Sequence, residues 1–233
     1  MDLADRQEIE KLVRAKRKRF YEESIKKSLL DNYLNDGWEY IRETIRTVRV
    51  KKNKNLPNFF EDRVWSLFAD MGFEKMNRNS NFKLPYLNNT SDPGRQIDIY
   101  AEDSETIIIV ECKTSEKLRS KSLQTVINDL QTVRVGIINY LNKINDNPKK
   151  VKFILATYNI TLNDPDLIRL KEHNIVHLNE DGIEYFELLT SHLGKAAKYQ
   201  LLGLIFKGQT ISGLKNKVPA IRGEMGGYKY FSF

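Results

Sequence analysis

Gln96-Ile97-Asp98-Ile99-Tyr100, a short polar turn, then Ile107-Ile108-Ile109-Val110-Glu111-Cys112-Lys113 is the stretch on which the reading of this chain turns. Two apolar runs around a polar break predict a β-hairpin. Successive side chains of a strand point to opposite faces, so Glu111 and Lys113 share one face. With Glu102-Asp103-Ser104-Glu105 as the turn, Asp98 falls opposite Ile109 on that same face. Asp98 and Glu111 are then diagonal neighbours, with Cβ atoms about 7–8 Å apart. Ile107 to Val110 is continuously apolar, as expected of a strand covered on both faces. Ionisable groups at the end of such a strand are costly unless paired or ligating.

Two carboxylates with a lysine beside them suit a hard divalent cation. Magnesium takes one or two carboxylates together with waters and a substrate phosphate. Lys113 would then stabilise charge developing on the phosphate or, with a lowered pKa, help to deprotonate a water. The residues themselves do not choose between these roles. The same short pattern also arises as an ion pair at a strand end, with Asp98 a solvated polar position.

Upstream, Asn58-Phe59-Phe60-Glu61-Asp62-Arg63-Val64-Trp65-Ser66-Leu67-Phe68-Ala69-Asp70-Met71-Gly72-Phe73 places Phe60, Val64, Leu67, Phe68 and Met71 at helical spacing. Asn58 reads as the N-cap and Gly72 as the stop. Glu61 falls in the first turn, where it either complements the helix dipole or reaches across as a third carboxylate.

Together these residues resemble the PD-(D/E)XK nuclease superfamily, in particular its Mrr-like and RecB-like branches, over residues 56 to 160. An acidic residue on the first helix, an Asp and a Glu-x-Lys strand are matched by Glu61, Asp98, Glu111 and Lys113. The resemblance implies a restriction-endonuclease-like α/β core with a central mixed sheet flanked by helices. It also implies magnesium-dependent cleavage of DNA, with Glu61, Asp98 and Glu111 on the metal (manganese substituting) and Lys113 assisting. No proline precedes Asp98. The Gln-x-x-x-Tyr element of the RecB-like branch is not met, since Gln124 is followed four places on by Asn128 and Gln131 by Val135, which favours the Mrr-like side.

Composition agrees with an enzyme that meets a polyanion. The 233 residues, 40% of them hydrophobic, suffice for a full core. The net charge is +7 and the isoelectric point near 9.3. A lone cysteine, Cys112, leaves no internal disulfide and no cysteine-rich zinc site, and reads as filler on the face opposite Glu111. His173, His177 and His192 stand at no metal-like spacing. No signal peptide, membrane span, phosphate loop or nucleophile elbow is visible, so a cytoplasmic location is expected.

Three regions follow. Residues 1–55 read as a basic N-terminal extension: a charged helix from 4 to about 30, with Ile9, Leu12, Val13, Phe20, Ile25 and Leu29 as a broken apolar face, a strand from Thr44 to Lys52, and a linker over Lys51 to Asn55. The run Arg14-Ala15-Lys16-Arg17-Lys18-Arg19 offers Arg17 and Lys18 to backbone phosphates, or is a solvated face. Residues 56–180 form the nuclease core. There Leu118 to about Leu141 reads as a long helix, with Lys117, Arg119, Lys121 and Gln124 near its start as nucleic-acid contacts. A strand over Val151–Thr157, a helix from Asp164-Pro165 and a strand over Ile175–Leu178 suggest a parallel crossover. Residues 181–233 begin with helices over 181 to 206. The tail from Val218 to Phe233 resembles the opening of DGQHR-type domains, without their Asp-Gly-Gln-His-Arg signature, which implies the N-terminal nuclease portion of a longer protein. The function expected is a DNA endonuclease of bacterial restriction or defence, acting as a homodimer where both strands are cut. A non-catalytic DNA-binding module on the same fold is the alternative.

Overall fold

A computed structural model describes residues 2–87, 92–209 and 211. The tail from Val218 to Phe233 lies outside the described residues. In chain order, β1 (Leu3–Ala4) and α1 (Arg6–Lys16) lead into β2 (Phe20–Lys26), α2 (Leu30–Asn35), β3 (Glu39–Glu43) and β4 (Thr47–Asn53). Then come α3 (Leu56–Asp70), β5 (Lys75–Asn77), β6 (Lys83–Leu84), β7 (Arg95–Gln96), β8 (Ile99–Glu102) and β9 (Thr106–Ser120). The described chain finishes with α4 (Gln124–Ile144), β10 (Lys150–Thr161), α5 (Asp164–Glu172), β11 (Ile175–Leu178), α6 (Glu180–Leu193) and α7 (Ala197–Ile205).

The central sheet has six strands in the order β1-β5-β8-β9-β10-β11. Its first four pair antiparallel, and β9, β10 and β11 run parallel. The parallel half is dictated by its connections, since α4 carries the chain from β9 to β10 and α5 from β10 to β11, as parallel neighbours require. Helices cover both faces, so the expected α/β architecture of a central mixed sheet flanked by helices is met.

The alternation of β9 divides the core in two. Ile108, Val110 and Cys112 point to one side, with Phe60, Val64, Phe68 of α3, Phe186 of α6 and Leu202 of α7. Ile107 and Ile109 point to the other, against Ile127, Leu130, Val133, Ile137 and Leu141 of α4. All four residues from Ile107 to Val110 are at most 1% exposed, which explains the unbroken apolar run. Cys112 is buried on the face away from Glu111, as expected.

The N-terminal helix is shorter than its charge pattern suggests. Asp5 caps α1 with a reciprocal bond to Glu8, and the helix ends at Lys16. Phe20 and Ile25 do not continue the Ile9, Leu12 and Val13 stripe; the chain instead forms a second sheet, β2-β4-β3. Ile25, Val48 and Val50 make a small core under Leu30, Tyr33 and Trp38. Lys51 to Asn53, read as linker, belong to β4, paired with Glu22, Tyr21 and Phe20.

Two further boundaries move. Asn55, not Asn58, caps α3 by accepting the Asn58 N–H at 2.9 Å, with Pro57 in the first turn. Glu61 therefore sits in the second turn, where the dipole has little use for it. Residues 118–120 continue β9 rather than opening α4, because Arg119 and Ser120 pair with Ile160 and Thr161 of β10. Among the described residues no helix is long and apolar enough to cross a membrane.

Candidate functional site

The hairpin has a register two residues away from the expected one. Ile99 pairs with Val110, Tyr100 with Ile109 and Glu102 with Ile107. The cause is Glu102, which is not a turn residue but a buried one, 3% exposed. It accepts from the Tyr100 hydroxyl at 2.6 Å and from the Lys149 ammonium at 2.6 Å. The turn tightens to follow it, with the Asp103 N–H donating to the Thr106 carbonyl at 2.8 Å. A shift of two keeps every side chain on its face. It also moves Asp98, the residue just before β8, from a diagonal position to one level with Glu111, a step beyond the Ile99–Val110 pair.

Asp98 is held in place from three directions. Its Oδ2 accepts the Cys112 N–H at 2.8 Å. Asn77, 1% exposed on β5, donates to the Asp98 carbonyl at 3.0 Å and accepts the Tyr100 N–H at 2.9 Å. Trp65 of α3 in turn donates its indole N–H to the Asn77 carbonyl at 2.9 Å. On β9 the Lys113 ammonium donates to Glu111 Oε1 at 2.6 Å, and Arg95 Nη2 approaches the same oxygen at 3.6 Å.

The electrostatics are those of crowded carboxylates. Burial, then the Glu111 charge, pushes Asp98 up to about 6, against the opposing pull of the Cys112 N–H, Lys113 and Arg95. Burial, then Asp98 and Asp62, pushes Glu61 up to about 7. For Lys113, burial works against the charged form, but the Glu111 carboxylate and its hydrogen bond outweigh burial and raise the pKa. Lys113 is thus held as a cation, which favours charge stabilisation over proton abstraction.

Glu61 and Asp98 line one cleft of about 230 Å³, together with Lys16, Lys54, Tyr21 and Arg78. Glu111 and Lys113 stand next to Asp98 on the sheet rather than on the wall of this cleft. Among the described residues no three His, Cys, Asp or Glu side chains converge tightly enough to hold a metal ion as a set. The pair Asp98 and Glu111 is the convergent part, and two carboxylates are a normal complement for magnesium, whose other positions go to waters and phosphate. Burial and the Glu111 charge raise the pKa of Asp98, and a divalent cation between the two carboxylates would relieve that repulsion. The residues fit the ion.

The expected nucleic-acid contacts divide into two groups. Lys117 and Arg119 are exposed on the far end of β9, Lys121 follows it, and Gln124 opens α4. They form one stretch that starts roughly 13 Å beyond Lys113 along the same strand. Arg17 and Lys18 are instead engaged in ion pairs, with Asp70 at 2.5 Å and Glu22 at 2.7 Å. Gln131 lies in mid α4, where its buried Oε1 has no hydrogen-bond partner among the described residues. Of the histidines, His177 is buried against the Thr157 hydroxyl at 2.9 Å, and burial pulls it down to about 4, a structural role.

Three residues beside the site, Arg95, Asn77 and Lys54, carry no mark in the sequence as site residues, and Lys16 enters it only as a member of the basic run. Arg95 lies three places before Asp98, and its neighbourhood carries no pattern that would mark it. Lys16 and Lys54 both bind Asp62, at 2.5 and 2.7 Å, and so fix the N-terminal segment beside Glu61.

No protein-family model matches the chain. No curated protein matches it either. Among solved structures the chain is similar to protein VC1899 from Vibrio cholerae, with a TM-score of 0.41 and 12% identity over 81% of this chain. The match takes in 51% of VC1899, so the chain spans about half that protein's length. It is also similar to the small subunit of the heterodimeric restriction endonuclease R.BspD6I, with a TM-score of 0.31 and 17% identity, covering 67% of this chain and 92% of that one.

Proposed function

We propose that the chain is a magnesium-dependent DNA endonuclease that hydrolyses phosphodiester bonds in the restriction of foreign DNA, the setting implied by the sequence resemblance. The observation that carries this reading is Asp98 set beside Glu111 one step past the Ile99–Val110 pair, with the Lys113 ammonium 2.6 Å from Glu111 and Glu61 in the cleft beside Asp98. When bound, a divalent cation supplies Lewis acidity and a nucleophilic water at neutral pH. Asp98 and Glu111 would hold it, and Glu61 would reach it directly or through water. Lys113, kept charged, stabilises negative charge on the phosphoryl oxygens. Arg95 stands close enough to share that task. Lys117, Arg119 and Lys121 would track the strand backbone along the extension of β9. Cutting both strands of a duplex calls for two such sites, hence a homodimer.

A second reading draws support from Glu111 Oε1, which already has Lys113 and Arg95 as partners: a satisfied ion pair belonging to a DNA-binding module without catalysis. Plasmid cleavage with titrated magnesium separates the two. The endonuclease reading expects products that appear with magnesium, vanish in Asp98→Ala, and fall about 10²–10³-fold in rate in Lys113→Ala with DNA affinity little changed. DNA binding with no products at any magnesium or manganese concentration establishes the second reading instead.

A further inference from the structure

Formal charge is concentrated in one part of the chain. Residues 14–54 hold 13 Lys and Arg against 6 Asp and Glu, an excess of 7, and the whole chain, with 38 against 31, has the same excess of 7. This segment is the second sheet with its flanks, and it is built onto the cleft. Asn58 of α3 donates to the Tyr21 hydroxyl at 2.9 Å, and the Lys54 side chain, 2% exposed, is paired with Asp62 next to Glu61.

From that anchored end, β3 and β4 run away from the cleft as a hairpin. β4 has 7 residues, a length of roughly 20 Å. The turn at its tip is closed firmly: the Thr44 N–H donates to the Thr47 carbonyl at 2.8 Å, and the Thr47 N–H donates to Thr44 Oγ1 at 3.0 Å. Between these two threonines Ile45 stands 94% exposed. Arg46 beside it is exposed and has no ion pair among the described residues, and Arg42 is exposed on β3. The acid at the tip, Glu43, is neutralised by Lys27. A hydrogen-bonded turn thus presents an isoleucine to solvent, with Arg46 beside it and Arg42 three residues back on β3, opposite Arg49.

We propose that the β3–β4 hairpin is a second nucleic-acid contact, in which Arg42 and Arg46 take phosphates of a duplex and Ile45 wedges into a base step. Apolar wedges flanked by cations partly unstack a step and kink the helix. The reach of roughly 20 Å exceeds half a duplex turn of about 34–36 Å, so cleft and hairpin meet the same DNA molecule at separate places. The inference rests on the nucleic-acid reading above but not on catalysis, and it is tested without cleavage.

The experiment uses the full chain in EDTA with a short DNA duplex carrying a fluorophore pair at its ends, reading affinity by anisotropy and bending by energy transfer, across a salt series. The wild type is expected to bind and to shorten the end-to-end distance. Ile45→Ser should bind but leave the duplex straight. Arg42→Ala with Arg46→Ala should weaken binding and lower the slope of log affinity against log salt by about 2, near 0.9 for each phosphate no longer neutralised. Circular dichroism checks that these tip variants fold. If the wild type binds and every variant matches it in affinity, salt slope and bending, the hairpin role is overturned while the catalytic reading stands. If the wild type binds no duplex at any salt, both fall together.

Discussion

Asp98 meets three demands at once: it precedes a buried strand, stands beside another carboxylate, and accepts a main-chain N–H. The first two make its charge costly and the third only partly offsets them, which is why it titrates near 6. The folded values of Asp98 and Glu61 lie above those of unfolded carboxylates, so the folded chain holds its protons more tightly. The sign follows: stability without metal falls as pH rises from about 4 through 7. Asp98→Asn, which keeps an acceptor for the Cys112 N–H, should therefore be more stable than the wild type at pH 8 in EDTA, on the order of 2 kcal/mol and several degrees in Tm, with the gain gone near pH 4. Thermal melts at the two pH values check this; equal Tm differences at both would refute the burial and repulsion assigned here. The four central residues were legible because strand parity alone puts Glu111, Lys113 and Asp98 on one face and helical spacing puts Glu61 on α3. Arg95 and Asn77 were not, since each reaches the site through tertiary contacts that no local spacing records.

At the scale of elements, the hairpin and α3 position the chemistry, and α4 holds the segment that carries Arg95. Gly136 of α4 lies against the Tyr86 main chain so closely that a Cβ there would sit 1.8 Å from the Tyr86 carbonyl oxygen. In an ordinary helix interior Gly→Ala gains about 1 kcal/mol. Gly136→Ala should instead destabilise by about 1–3 kcal/mol as Tyr86 is pushed off the helix, measured by urea unfolding. A stabilised variant would mean that this packing is not as described. Element types in the core were readable from period and capping signals, as in α5, β10 and β11. Their limits were not, where pairing overrode propensity. Leu118 to Ser120 look helical in isolation but complete a ladder with β10, and Phe20 to Lys26 follow a helix yet pair with β4. The hairpin register differs by two from the sequence expectation because Glu102, polar and placed by a turn, is satisfied inside by Tyr100 and Lys149.

For the whole molecule, a carboxylate pair on the central sheet stands beside a basic second sheet whose segment carries a charge excess equal to that of the entire chain. The two-faced core followed from the unbroken apolar run of β9, while the strand order of the sheet was not legible there. Nor was the second sheet, because its own core is only three buried residues, Ile25, Val48 and Val50, too few to leave a clear periodicity. Both halves converge on one claim, that a divalent cation is held between Asp98 and Glu111. The direct measurement is anomalous diffraction from a crystal of the chain soaked in manganese above pH 7, which lies above the raised value of Asp98. A manganese peak is predicted between the Asp98 and Glu111 carboxylates, absent in Asp98→Asn; strong manganese peaks elsewhere with none at this pair would contradict the claim.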